Sequence, residues 1–124
     1  MKILVAESDM VLRFNLARTF TEAGHEVVEA DNGHDALAAV DLTGPDVLIL
    51  DLMIAGLDGY EVLRSLRAQR ALLSPRVIVL TAFAADDDGF VDFAHVIGVL
   101  EKPLFLDELI AAVDRVWDEL QAVA

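Results

Sequence analysis

The stretch that decides the fold is Val47-Leu48-Ile49-Leu50-Asp51, four consecutive apolar residues closed by a carboxylate and followed by the turn-forming Ala55-Gly56-Leu57-Asp58-Gly59. A short continuous apolar run bounded by turn signals reads as a strand buried on both faces, the pattern of a parallel sheet. An acidic residue at the carboxyl end of such a strand faces the crevice where open α/β sheets bind ligands. Two other runs end in the same way, Ile3-Leu4-Val5-Ala6 leading into Glu7-Ser8-Asp9 and Val77-Ile78-Val79-Leu80 leading into Thr81-Ala82. Further on, Val99-Leu100 leads into Glu101-Lys102-Pro103. The strand ends would gather an acidic group, a hydroxyl and an ammonium around Asp51, a layout suited to phosphoryl chemistry on a carboxylate.

Outward from Asp51, apolar runs alternate with segments of helical period, as in βα units wrapped around a parallel sheet. Strand one covers about residues 2 to 6. Asp9 is placed to cap a helix carrying Leu12, Leu16, Phe20 and Ala23, which Gly24 ends in a left-handed conformation. The mixed run Glu26 to Ala30 reads as an edge strand. Asn32-Gly33 breaks it before a helix through Ala36, Leu37 and Val40, and Gly44-Pro45 stops that helix. Asp58-Gly59 opens a third helix with Val62, Leu63 and Leu66 on its buried side, and Pro75 precedes strand four. Between Phe83 and His95, Asp86-Asp87-Asp88-Gly89 supplies four poor helix formers, so any helix there is short. Strand five covers Ile97 to Leu100. A final helix carries Leu106, Leu109, Ile110, Val113, Val116, Trp117 and Leu120, with Trp117 continuing the core stripe. Five strands and five helices with right-handed crossovers make a three-layer α/β/α sandwich.

At 124 residues the chain is one domain, large enough to bury most of its apolar surface. Its composition is 56% hydrophobic, yet no apolar run approaches the ~20 residues that span a bilayer. Nine Lys and Arg against 22 Asp and Glu give a net charge of −13. The resulting field repels phosphate backbones and anionic lipid heads, so neither nucleic acid nor membrane is expected as a partner. No basic stretch followed by an apolar segment marks the N-terminus for export. The absence of cysteine excludes disulfides and thiolate metal sites and fits a cytoplasmic location.

These residues carry a family resemblance. From Lys2-Ile3-Leu4-Val5 through Asp51, Leu57-Asp58-Gly59, Thr81-Ala82 and Lys102-Pro103 to the last helix, the chain resembles a CheY-like response-regulator receiver domain. The separations of 44, 30 and 21 residues between Glu7, Asp51, Thr81 and Lys102 match that pattern closely. Each motif is weak alone, and four at matched spacing on the correct strand ends are strong. The resemblance implies the flavodoxin-like strand order 2-1-3-4-5 and a single receiver domain over 1–124 without an effector domain. It also implies a phosphorelay role, with Asp51 accepting a phosphoryl group from a phosphohistidine on a histidine kinase or histidine phosphotransferase. Lys102 would contact a phosphoryl oxygen and Thr81 would donate to another. Mg²⁺ would be held by Glu7, Asp51 and the backbone carbonyl of Met53, with Ser8 and Asp9 as further candidates.

The chain departs from the receiver pattern at three positions. Receivers usually carry two acidic residues after strand one, the second a direct metal ligand, and here the pair is Glu7-Ser8. At an effective dielectric of ~20 and ~4 Å, two unit charges interact by ~4 kcal/mol, so losing one ligand charge should weaken cation binding. Val99 stands where many receivers have an aromatic switch residue, which leaves Phe83, Phe90, Phe93 and the acidic segment as candidates for output. Ala55 replaces a frequent proline and is expected to loosen the loop after Asp51.

Bland readings stand beside these. Asp51 and Lys102 make a plausible structural ion pair, Thr81 alone would satisfy a strand-end amide, and Asp9 reads as a helix cap before a ligand. Asp86 to Asp88 lack the spacing of a calcium loop. Histidines 25, 34 and 95 show no ligand spacing. Two other function classes fit parts of the sequence. One is a degenerate receiver that binds partners without phosphorylation, suggested by Ser8 and Val99. The other is an enzyme with an aspartyl nucleophile, such as a phosphatase of the haloacid dehalogenase type. That enzyme ranks last, because Met53 stands where a second aspartate is needed and no glycine-rich phosphate loop follows strand one.

Overall fold

The computed structural model describes residues 1–69, 75–82 and 95–123. Its elements run β1 (Lys2–Ala6), α1 (Met10–Glu22), β2 (Glu26–Ala30), α2 (Gly33–Thr43), β3 (Val47–Asp51), α3 (Gly59–Gln69), β4 (Arg76–Thr81), β5 (Val96–Glu101) and α4 (Leu106–Val123). All strand pairs are parallel and the sheet order is β2-β1-β3-β4-β5, the flavodoxin-like order implied by the resemblance. Four helices lie among the described residues. The fifth expected helix falls on 83–94, outside them, together with Phe83, Phe90, Phe93 and the Asp86 to Asp88 run.

The two-residue period of the strands divides the core between the two faces of the sheet. Leu4, Ala6, Leu48, Leu50, Val77 and Val79 pack with Ala36 of α2 and Val62 and Leu63 of α3. Ile3, Val5, Val47, Ile49, Ile78 and Leu80 pack with Leu16 and Phe20 of α1 and Leu109, Val113 and Val116 of α4. Every residue of β3 is buried, which is why its sequence shows no polar alternation. Burying one such Leu or Ile side chain contributes about 1.5 to 3 kcal/mol. The outer strands β2 and β5 are only partly covered, as edge positions require. Strand five extends one residue beyond expectation at each end.

Helix ends follow the sequence signals. Asp9 caps α1, and Gly24 after it takes φ +96°. Asn32 caps α2 by accepting from the Asp35 N–H, and Gly44 closes it at φ +58°. Asp58 Oδ1 accepts from the Glu61 N–H at the start of α3.

Trp117 departs from expectation. It is 39% exposed rather than part of the core, and its ring meets His25 edge-on with centroids 5.8 Å apart. The helical advance of about 100° per residue leaves Leu109, Val113 and Val116 facing the sheet and turns the residue after Val116 to the margin. Among the described residues no helix is long and apolar enough to cross a membrane.

Candidate functional site

The parallel registers bring the chemistry together. Ala6 lies opposite Leu50, so Glu7 leaves β1 beside Asp51 at the end of β3. Asp51 lies opposite Leu80, and Thr81 opposite Glu101. The Lys102 N–H then donates to the Thr81 carbonyl at 2.8 Å, which fixes the lysine as it leaves β5. In this strand order the chain from β1 goes outward to β2 and then returns to β3 on the other side. The β1/β3 boundary is therefore the switch point where open α/β sheets form their ligand crevice.

Lys102 Nζ lies 3.1 and 3.2 Å from the two Glu7 carboxylate oxygens and 3.3 Å from Asp51 Oδ2. Glu7, Asp51 and Thr81 are all buried, at 1%, 4% and 5% exposure. Two buried carboxylates thus share one ammonium on a partly exposed lysine. Burial raises the Glu7 pKa above the ordinary carboxylate value, and the negative charge of Asp51 raises it further against the opposing pull of Lys102. Asp51 Oδ1 accepts the Met53 N–H at 3.0 Å. Both Asp51 oxygens are therefore oriented, one by the backbone and one by the lysine, and Met53 itself is 75% exposed.

Ser8 and Asp9 are engaged elsewhere. Ser8 Oγ accepts the Ala55 N–H at 3.0 Å, and Asp9 Oδ1 accepts from the N–H groups of Val11 and Leu12 at 2.9 and 3.1 Å. The Ala55 carbonyl accepts from the Gly33 N–H at 2.9 Å. Both backbone polar groups of Ala55 therefore tie it to neighbouring turns. Val99 is half-buried against the α2/α3 side of the core.

One contributor escaped the sequence reading. The Arg13 guanidinium donates to the Glu7 carbonyl at 2.9 Å and pairs with Glu29 at 3.3 Å, bracing the turn that carries Glu7 and Ser8. Its only signal was a cation one turn into α1, which any surface arginine would give.

Among the described residues no three carboxylate, imidazole or thiol side chains converge on one point. The donors at hand are the Glu7 and Asp51 carboxylates, with the Met53 carbonyl in the following loop. This set fits Mg²⁺, a hard cation commonly held by one or two carboxylates with water completing its shell.

Comparison with known proteins decides the family. A family model described as the response regulator receiver domain matches residues 3–114. The chain belongs to the response-regulator receiver family. This receiver is 40% identical over 115 residues to the transcriptional regulatory protein TcrA of Mycobacterium tuberculosis, covering 89% of the chain and 43% of TcrA. It is 32% identical over 117 residues to the sporulation initiation phosphotransferase F of Bacillus subtilis, covering 92% of the chain and 91% of that protein. The receiver domain of a sensor histidine kinase from Pseudomonas aeruginosa PAO1, solved with magnesium coordinated in its active-site cleft, superposes with a TM-score of 0.77 at 26% identity. That match covers 92% of this chain and 94% of the other. The receiver spans 43% to 55% of the length of the mycobacterial regulators it matches. Receivers act in two-component signalling as phosphoacceptors for histidine kinases and phosphotransferases, and the reading as a phosphorylation-independent module is not favoured.

Proposed function

We propose that this receiver takes a phosphoryl group from a phosphohistidine onto Asp51 and passes the signal on through protein contact or onward phosphotransfer in the cytoplasm. The observation that carries this reading is the Lys102 ammonium at 3.3 Å from Asp51 and 3.1 Å from Glu7, at the switch point of the sheet. An Asp51 oxygen attacks phosphorus, the P–N bond to the donor imidazole breaks, and the electron pair leaves with that nitrogen. The product is an acyl phosphate. The transition state is loose and spreads charge over the equatorial oxygens, so the protein mainly supplies positioning and positive charge. Lys102 provides a fixed positive charge, the Met53 N–H orients Asp51, and Thr81 stands one residue past the β4 position facing Asp51. Mg²⁺ bound by Glu7, Asp51 and the Met53 carbonyl would supply further charge compensation for the phosphoryl oxygens.

The test is intact mass after incubation with a small phosphodonor, with and without Mg²⁺, using Asp51→Ala as control. One added phosphoryl group that requires Asp51 is expected. No modification from either a small donor or a phosphorylated histidine phosphotransferase would overturn the reading.

A further inference from the structure

Ser8 and Ala55 lie 47 residues apart and meet in one hydrogen bond, Ala55 N–H to Ser8 Oγ at 3.0 Å. This bond joins the β1–α1 turn, which follows Glu7, to the β3–α3 loop, which follows Asp51 and carries Met53. The same loop is tied on its far side, where the Ala55 carbonyl accepts from the Gly33 N–H and Ala55 forms a bridge with Asn32. Gly33 permits that approach, since a Cβ there would run into the Leu57 carbonyl. Three turns at the C-terminal end of the sheet are thus stitched together at one alanine.

We infer that Ser8 is a positioning residue, whose hydroxyl holds the phosphoacceptor loop through the Ala55 N–H before any cation binds. The two sequence departures at 8 and 55 are then one device. A proline at 55 would have no N–H to donate. A neutral hydroxyl at 8 can join the two loops without adding a third negative charge to a site where Glu7 and Asp51 already share one lysine. The Met53 carbonyl, which would be one of the oxygens offered to Mg²⁺ under the proposed function, lies two residues before the tethered position. The tether therefore sets where that oxygen stands. The purpose given to the loop rests on the proposed function, whereas the hydrogen bond and its effect on the loop do not.

The experiment is amide exchange followed by NMR on the metal-free protein, with Mg²⁺ binding titrated on the same amide shifts, so neither readout requires phosphorylation. Ser8→Ala is expected to speed Ala55 exchange about fivefold, the fold-change that a typical net hydrogen bond implies. It is expected to weaken Mg²⁺ binding several-fold although it removes no charge. Ser8→Thr keeps the hydroxyl and should restore both. Ala55→Pro should weaken Mg²⁺ binding to a similar extent, and adding Ser8→Ala to it should cost nothing further, because the bond is already gone. Should Ala55→Pro not fold, the Ser8→Ala and Ser8→Thr comparison decides alone. Unchanged exchange and unchanged Mg²⁺ binding in Ser8→Ala, or losses that add in the double variant, would overturn the inference.

Discussion

Glu7 carries the electrostatic cost of the site. Its pKa in the folded chain is raised, first by burial and then by Asp51. Above its ordinary value of 4.5 the folded state therefore holds more protons than the unfolded state, and stability falls as pH climbs from there to the raised pKa. Glu7→Gln removes this slope. Urea unfolding should show the variant gaining on the wild-type protein as pH rises from acid to neutral. Lys102→Ala has the opposite character, since it leaves two buried carboxylates without their cation. It is expected to cost about 3 kcal/mol at neutral pH and less in acid, where Glu7, with its raised pKa, takes up its proton. A loss that is equally large in acid would mean that packing of the lysine stem, not charge, explains it.

Met53 makes a separate prediction at this scale. Its backbone N–H meets Asp51 while its side chain is largely exposed, and a thioether offers only a weak acceptor for orienting an attacking water. The phosphorylated protein should therefore be long-lived, and Met53→Asn should shorten the decay of the acyl phosphate measured by intact mass. The companion position, Phe83, lies outside the described residues.

At the scale of elements, the site depends on how strands hand over to helices. The Asp58-Gly59 pair read in the sequence as a helix opening, and the close approach explains the glycine. A Cβ on Gly59 would lie 2.5 Å from the Leu52 Cα and 3.1 Å from the Asp51 carbonyl oxygen. Gly59→Ala must push the start of α3 away from the phosphoacceptor strand. It should destabilise by about 1 to 3 kcal/mol, read by urea unfolding, and should slow phosphorylation of Asp51. Asp9→Ala is the contrasting change. It loses a cap worth about 1 kcal/mol while phosphorylation with Mg²⁺ proceeds as before, because Asp9 is occupied by the N–H groups of α1. A large loss of Mg²⁺ binding in Asp9→Ala would instead make it a ligand.

For the whole molecule, a net charge of −13 on 124 residues means self-repulsion that the compact state concentrates. Raising salt from about 0.01 M to about 0.15 M shortens the screening length from ~30 Å to ~8 Å. The melting temperature should therefore rise with NaCl alone. A flat response would mean that local ion pairs such as Arg76 with Glu119 offset the repulsion.

Much of this architecture is legible in the sequence. Strand identity, the two-faced core and most caps follow from apolar runs, two-residue alternation and Asp, Asn and Gly at element ends, because these are local signals. Asp51, Lys102, Thr81 and Glu7 were legible as candidates because a parallel sheet places every strand's carboxyl end on one edge. The partner of Ser8, the reach of Arg13 back to the Glu7 carbonyl and the marginal place of Trp117 were not. Each depends on the direction of one side chain or N–H relative to an element distant in sequence, and no periodicity encodes that direction. The sequence by itself determined which residues stand at the crevice. Only the tertiary structure decided which of them touch, since hydrogen bonds and ion pairs near 3 Å are set by packing of the whole sheet.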